Sequence, residues 1–391
     1  MSEQERVRCT IMRGGTSKGI FLKRNDLPKD PELRDRMILA IFGSPDIRQI
    51  NGLGGSDLLT SKLAIIGPPT HPNADVDYTF GQVGITQAKV DYYGNCGNIS
   101  SAVGPYAIYQ GMVEPAEPLT TVRIHLTNSK QVLVAQVPVK DGEPAIEGDY
   151  HIDGCPGTGA KISLDFSGTG GAFTNKILPT GNVKDTLKVE GLGDVVVSIV
   201  DAANTCVFVH AQYLGIKGTE NPFEIDGNPV LLENLEKIRS AAAQKIGFVK
   251  DWRDATKQSQ MLPFMVMVNS PKPYIDYTTE KLIGADSYDL LARLLYNQRM
   301  HKAYPLTGTV CTGVAAKITG SVVYELASKS TVAREDFRIG HPAGIITIEV
   351  DVKMENGEPL LKKAAIGRTA RIMMEGYVFV RKSIMSGKYA G

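Results

Sequence analysis

Polar and apolar positions alternate along residues 82–90, Gln-Val-Gly-Ile-Thr-Gln-Ala-Lys-Val, the period-two pattern of a strand with one covered face. Residues 7–12, 63–66, 120–126, 131–137, 194–200, 207–210 and 345–350 read as further strands. Helical apolar spacing marks residues 99–109, 231–245 and 288–300. A helix through about Phe42 opens at Asn25-Asp26-Leu27-Pro28, with Asp26 as its cap and Pro28 in its first turn. Strands and helices interleave throughout, which predicts an α/β (α+β) chain.

The stretch that gives this order a centre is Gly94-Asn95-Cys96-Gly97-Asn98, between the strand at 82–90 and the small-residue helix at 99–109. Cys96 falls where a strand turns into a buried helix. Amides at a helix start carry partial positive charge and favour a bound carboxylate or a thiolate. The plainer alternative is an inert buried cysteine in a glycine-rich turn. The second half repeats the logic: His301-Lys302-Ala303-Tyr304-Pro305-Leu306-Thr307-Gly308-Thr309-Val310-Cys311 brings a single cysteine to the mouth of another small-residue helix. Two such halves predict pseudo-twofold domains facing one cleft, residues 1–183 and 184–391, with the last strand free to pack back on the first domain.

At 391 residues the chain exceeds one ordinary core, in agreement with two domains. A net charge of +1 gives no reason to expect nucleic acid, and no apolar run reaches the length of a membrane span. The polar start and the five scattered cysteines point to a reducing cytoplasm rather than a disulfide framework. Without paired Cys-x-x-Cys or His-x-x-x-His spacing, no metal is expected.

Two loops offer groups for anions. Arg13-Gly14-Gly15-Thr16-Ser17-Lys18-Gly19 supplies amides, hydroxyls and cations without Walker spacing. Thr60-Ser61-Lys62 leads directly into the apolar residues 63–66. Most lysines are solvated, but desolvation disfavours the charged form of an amine, so a lysine entering a buried strand is a candidate base.

Taken with Asp201-Ala202-Ala203-Asn204-Thr205-Cys206, Gly340-His341-Pro342 and Arg368-Thr369-Ala370-Arg371, these motifs resemble the PrpF family over nearly the whole chain. The resemblance implies the diaminopimelate-epimerase fold: two similar domains, each a curled mixed sheet around a central helix, with the active site in the cleft between them. It implies cofactor-independent isomerisation of a small unsaturated di- or tricarboxylate, of methylitaconate Δ-isomerase, 2-methylaconitate cis-trans isomerase or 4-oxalomesaconate tautomerase type. It further implies a homodimer or homotetramer.

Within that resemblance Lys62 matches the proton-transferring base, Cys96 the first-domain cysteine, and His301 a histidine near the site. Ser17, Asn95, Gly97 and Asn98 fall in loops that hold substrate carboxylates. Thr16, Ser61, Thr307 and Cys311 complete the expected substrate-binding set. The chemistry is allylic: Lys62 removes a proton from carbon, and Cys96, or Lys62 itself, returns one at the other end of the allyl system. His301 orients or neutralises a carboxylate. Two other functions fit the same residues, a two-cysteine epimerase or racemase using Cys96 and Cys311, and a non-catalytic carboxylate-binding protein.

Overall fold

The structure, a computed structural model, describes residues 3–329 and 334–385. The chain forms two units. One is built from Met1–Ile152, Gly157–Leu164 and Arg368–Gly391, the other from Asp153–Pro156 and Asp165–Gly367.

In the first unit the strands lie in the order Ala370–Arg381, Gln4–Gly14, Ser17–Lys23, Lys62–Gly67, Val76–Val83, Leu119–Leu126 and Gln131–Lys140. The second unit's order is Asp185–Val189, Gly193–Ala202, Asn204–His210, Phe264–Asn269, Leu290–Tyr296, Asp336–His341 and Gly344–Glu355. In both, successive joins run antiparallel, antiparallel, parallel, antiparallel, parallel, antiparallel. A parallel join needs a crossover, and a helix supplies each one. Pro31–Phe42 and Gly97–Tyr109 serve the first unit, Pro229–Lys245 and Leu306–Lys317 the second.

Alternation along the strands sorts the two helices of each unit onto opposite faces. Met37, Ile38 and Ile41 pack with Leu63, Ile65 and Val83 on one face of the first sheet. The other face, carrying Lys62, Ala64, Tyr78, Phe80 and Gln82, is left to Gly97–Tyr109, which is buried from Gly97 to Ile108. A helix so enclosed needs small residues: a Cβ on Gly104 would stand 2.7 Å from Val137 Cγ2. The second unit does the same with Leu306–Lys317, where a Cβ on Gly308 would stand 2.5 Å from Leu294 Cδ1.

Three elements depart from the sequence pattern. Residues 82–90 do not form one strand, because the chain reverses at Gly84 and Val83 pairs with Val90 in a hairpin. A Cβ on Gly84 would meet Gln87 O at 2.5 Å, so the turn selects glycine. The early helix starts later than Asp26: residues 24–26 form a short 3-10 turn, and Asp30 caps Pro31–Phe42 by accepting from Leu33 N at 2.8 Å. Residues 288–300 are strand, not helix. Leu290–Tyr296 is buried at every position, and an element covered on both faces loses the alternation that tells strand from helix. No helix among the described residues is long and apolar enough to cross a membrane.

Candidate active site

Lys62 opens its strand opposite Gln82 and is 3% exposed. Its amine donates to Gln82 Oε1 at 3.3 Å and lies 5.5 Å from the centre of the Phe80 ring. Gln82 is itself fixed, donating through Nε2 to Ser61 O at 3.1 Å and Leu58 O at 3.4 Å. Both amide hydrogens are therefore committed to backbone carbonyls, and only the amide oxygen is turned to the amine. The amine is thus buried at the strand's start, on the sheet face that the central helix covers, with an amide oxygen as a hydrogen-bond partner.

Cys96 is the N-cap of Gly97–Tyr109 and is 7% exposed. Its carbonyl accepts from Ser100 N and Ser100 Oγ, both at 2.9 Å, but its side chain does no capping. The thiol thus stands at the positive end of a helix dipole without being used by the helix. Asn95 Nδ2 holds Ser129 Oγ at 2.9 Å, and Asn128 ties Phe80 to Tyr92, which pins the approach to the cap.

The first glycine-rich loop meets the same helix end. Asn98 Oδ1 accepts from Arg368 Nε at 3.2 Å and Thr16 N at 3.5 Å. Arg13 and Gly15 N bind Thr369 O. Gly15 has φ +50°, and a Cβ there would stand 2.2 Å from Asn98 Oδ1, so contact with the helix excludes any side chain. Thr16 Oγ1 and Ser17 Oγ are buried and make no hydrogen bond among the described residues. Two adjacent buried hydroxyls without partners are costly unless a ligand satisfies them. Ser61, by contrast, spends its hydroxyl on Gln49 Oε1 at 2.7 Å.

In the second unit His301 is buried and its Nδ1 accepts from Ala303 N at 3.1 Å. Thr307 Oγ1 receives Asn204 Nδ2 at 3.0 Å. Cys311 is not at a helix mouth. It lies in the middle of Leu306–Lys317, fully buried, with Sγ donating to Val200 O at 3.1 Å. The small-residue run starts earlier relative to this cysteine than to Cys96, and the N-cap is Pro305. Burial, reinforced by Cys311, pushes the neighbouring Cys206 thiol far up.

The structure therefore gathers Lys62, Cys96, Thr16, Ser17, Asn95, Gly97 and Asn98 in one unit, and His301, Thr307 and Cys311 in the other. Sequence reasoning missed Gln82, whose signal was an amide on a strand face otherwise carrying Tyr78 and Phe80. It also missed Asn204 as the partner of Thr307.

The fold class emerges first. A hydroxyproline epimerase from Agrobacterium vitis, 12% identical, superposes with a TM-score of 0.59 over 97% of this chain and 93% of its own, which shows a shared two-domain epimerase-like fold. A crystal structure of a methylitaconate-delta-isomerase, 53% identical, superposes with a TM-score of 0.80 over 98% of each chain. The family model described as PrpF protein matches residues 4–381. The chain is 53% identical to the 3-methylitaconate isomerase of Eubacterium barkeri, covering 98% of this chain and 99% of that one. It is 37% identical to the 2-methyl-aconitate isomerase of Shewanella oneidensis, covering 97% and 98%. This chain belongs to the PrpF family, and it is an isomerase.

Proposed function

We propose that this isomerase shifts a carbon–carbon double bond by one position in a methylitaconate-type unsaturated dicarboxylate, with Lys62 as the base and Cys96 as the acid. What supports this most is a lysine amine buried on the sheet face that the central helix covers, in a chain 53% identical over nearly its full length to a 3-methylitaconate isomerase. Moving the double bond requires loss of a proton from allylic carbon and its return at the far end. Lys62, neutral when it acts, takes that proton on Nζ. The electron pair spreads through the allyl system onto a carboxylate oxygen. The Thr16 and Ser17 hydroxyls and the amides at Gly97 and Asn98 hold that carboxylate and stabilise its growing charge. Cys96 gives its thiol proton to the terminal carbon, and the excess proton on Lys62 passes back to the thiolate through the substrate pocket. His301 and Thr307 orient a carboxylate.

The same proposal includes self-association as a dimer or tetramer. It is supported by the outward face of Ala370–Arg381, where Met373, Tyr377 and Phe379 are 46%, 50% and 58% exposed. Incubation in deuterium oxide with methylitaconate, 2-methylaconitate, aconitate and oxalomesaconate, followed by proton NMR, tests the substrate. Methylitaconate is expected to isomerise and incorporate deuterium fastest. No exchange into any of the four acids would overturn the reading.

A further inference from the structure

Asn98 is the second residue of the helix Gly97–Tyr109 and is 2% exposed. Both groups that reach its side-chain oxygen are donors, Arg368 Nε at 3.2 Å and Thr16 N at 3.5 Å. Arginine has no acceptor, so the oxygen must face it, and the amide cannot be turned end for end. Asn98 Nδ2 therefore points away from both, and neither of its hydrogens is given to a partner among the described residues. A buried amide with two unspent hydrogens costs the fold stability and returns nothing to it. Thr16, whose backbone touches that same amide, and Ser17 leave two buried hydroxyls in the same condition. Arg368 is 3% exposed and firmly set. Thr369 O, next along the chain, accepts from Gly15 N and from Arg13 Nη1, both at 2.9 Å. A Cβ on Gly15 would stand 2.2 Å from Asn98 Oδ1 and 3.2 Å from Arg368 Cδ, so loop, arginine and amide are packed in contact.

We propose that Arg368 is a positioning residue for the reaction: by holding Asn98 Oδ1 it presents Asn98 Nδ2 as a donor to the substrate carboxylate that the Thr16 and Ser17 hydroxyls also bind. This rests on the loop-bound carboxylate of the proposed function, and deepens it. The guanidinium charge polarises the amide it holds, which strengthens the N–H groups at the other end as donors. Arg368 thus acts on the substrate through Asn98 and not by touching it. No bond is made or broken at either residue.

A double-mutant cycle on KM and kcat for methylitaconate, followed by proton NMR, tests it. Arg368→Gln is expected to raise KM about tenfold and leave kcat within about threefold of wild type, and Asn98→Ala to raise KM by a similar factor. The double variant should then bind no worse than Asn98→Ala, because the arginine works only through the amide. Asn98→Asp tests the donor without disturbing Arg368: it keeps an oxygen for the guanidinium but turns an acceptor on the carboxylate, and should raise KM about a hundredfold. Losses that multiply in the double variant overturn the proposal. So does a wild-type KM in Asn98→Asp, or in Arg368→Gln even where its melting temperature falls. If KM shifts as expected while Lys62→Ala isomerises at the wild-type rate, the carboxylate site stands and the proposed base falls. A wild-type KM in Arg368→Gln beside an inactive Lys62→Ala removes the positioning role and keeps the base.

Discussion

The two units share one strand plan, yet their central positions carry different chemistry. The strand that follows the first parallel join opens with Lys62 in one unit and Phe264 in the other. Lys62 faces the Gln82 amide, whereas Phe264 meets the Tyr296 ring edge-on at 6.0 Å between centroids. The central helix is capped by Cys96 in the first unit and by Pro305 in the second, whose cysteine has moved into the helix body. The shared topology accounts for why a small-residue helix lies buried on each sheet. It does not account for chemistry, which depends on a few substitutions at equivalent places.

Substitutions at matched places should therefore give unmatched effects. Lys62→Met should lower kcat by about a thousandfold, the scale of a lost general base, while keeping the fold. Its counterpart Phe264→Leu should leave turnover near wild type and cost about 1 kcal/mol in urea unfolding. Cys96→Ser should lower kcat about a hundredfold. Cys311→Ala should instead cost about 1–2 kcal/mol of stability, read by the same unfolding curve. A large kcat loss in Cys311→Ala with intact stability would break the comparison and favour a two-cysteine site.

Smaller effects are expected at the loop and in acid. Gly15→Ala forces a Cβ toward Asn98 Oδ1 from a left-handed backbone, and should raise KM several-fold with about 1–2 kcal/mol of destabilisation. Each unit also anchors a strand with a buried aspartate. Asp77 takes Arg24, Thr70 and His125, and Asp289 takes Arg334 and Arg338. Burial works against both carboxylates, but those bonds prevail and hold each below its ordinary value of 3.8. Their contribution is complete above the unfolded value and is lost as pH falls through the lower folded one. Melting temperature should therefore drop in both units below about pH 4, and Asp77→Asn or Asp289→Asn should flatten that drop.

Much of this layout was legible in the chain. The strands beginning at Gln4, Lys62, Leu119 and Gly193 were marked by their apolar pattern, and the Cys96 helix by its small residues. The PrpF motifs, read together, led to the family. Leu290–Tyr296 was not legible as strand, because burial on both faces erases the period. Gln82 was hidden for another reason. Its meaning lies in cross-strand register and in which face a helix covers, and neither is local to the sequence. The depth of Cys311 within its helix turned on where Pro305 places the cap, which spacing alone did not show.

Deuterium transfer most directly tests the claim that the buried Lys62 amine removes carbon-bound hydrogen. With methylitaconate in deuterium oxide, the wild type should wash allylic hydrogen out of the substrate as it isomerises. Lys62→Ala should show neither exchange nor isomerisation above background, while melting as a folded protein. Exchange in that variant at the wild-type rate would contradict the account.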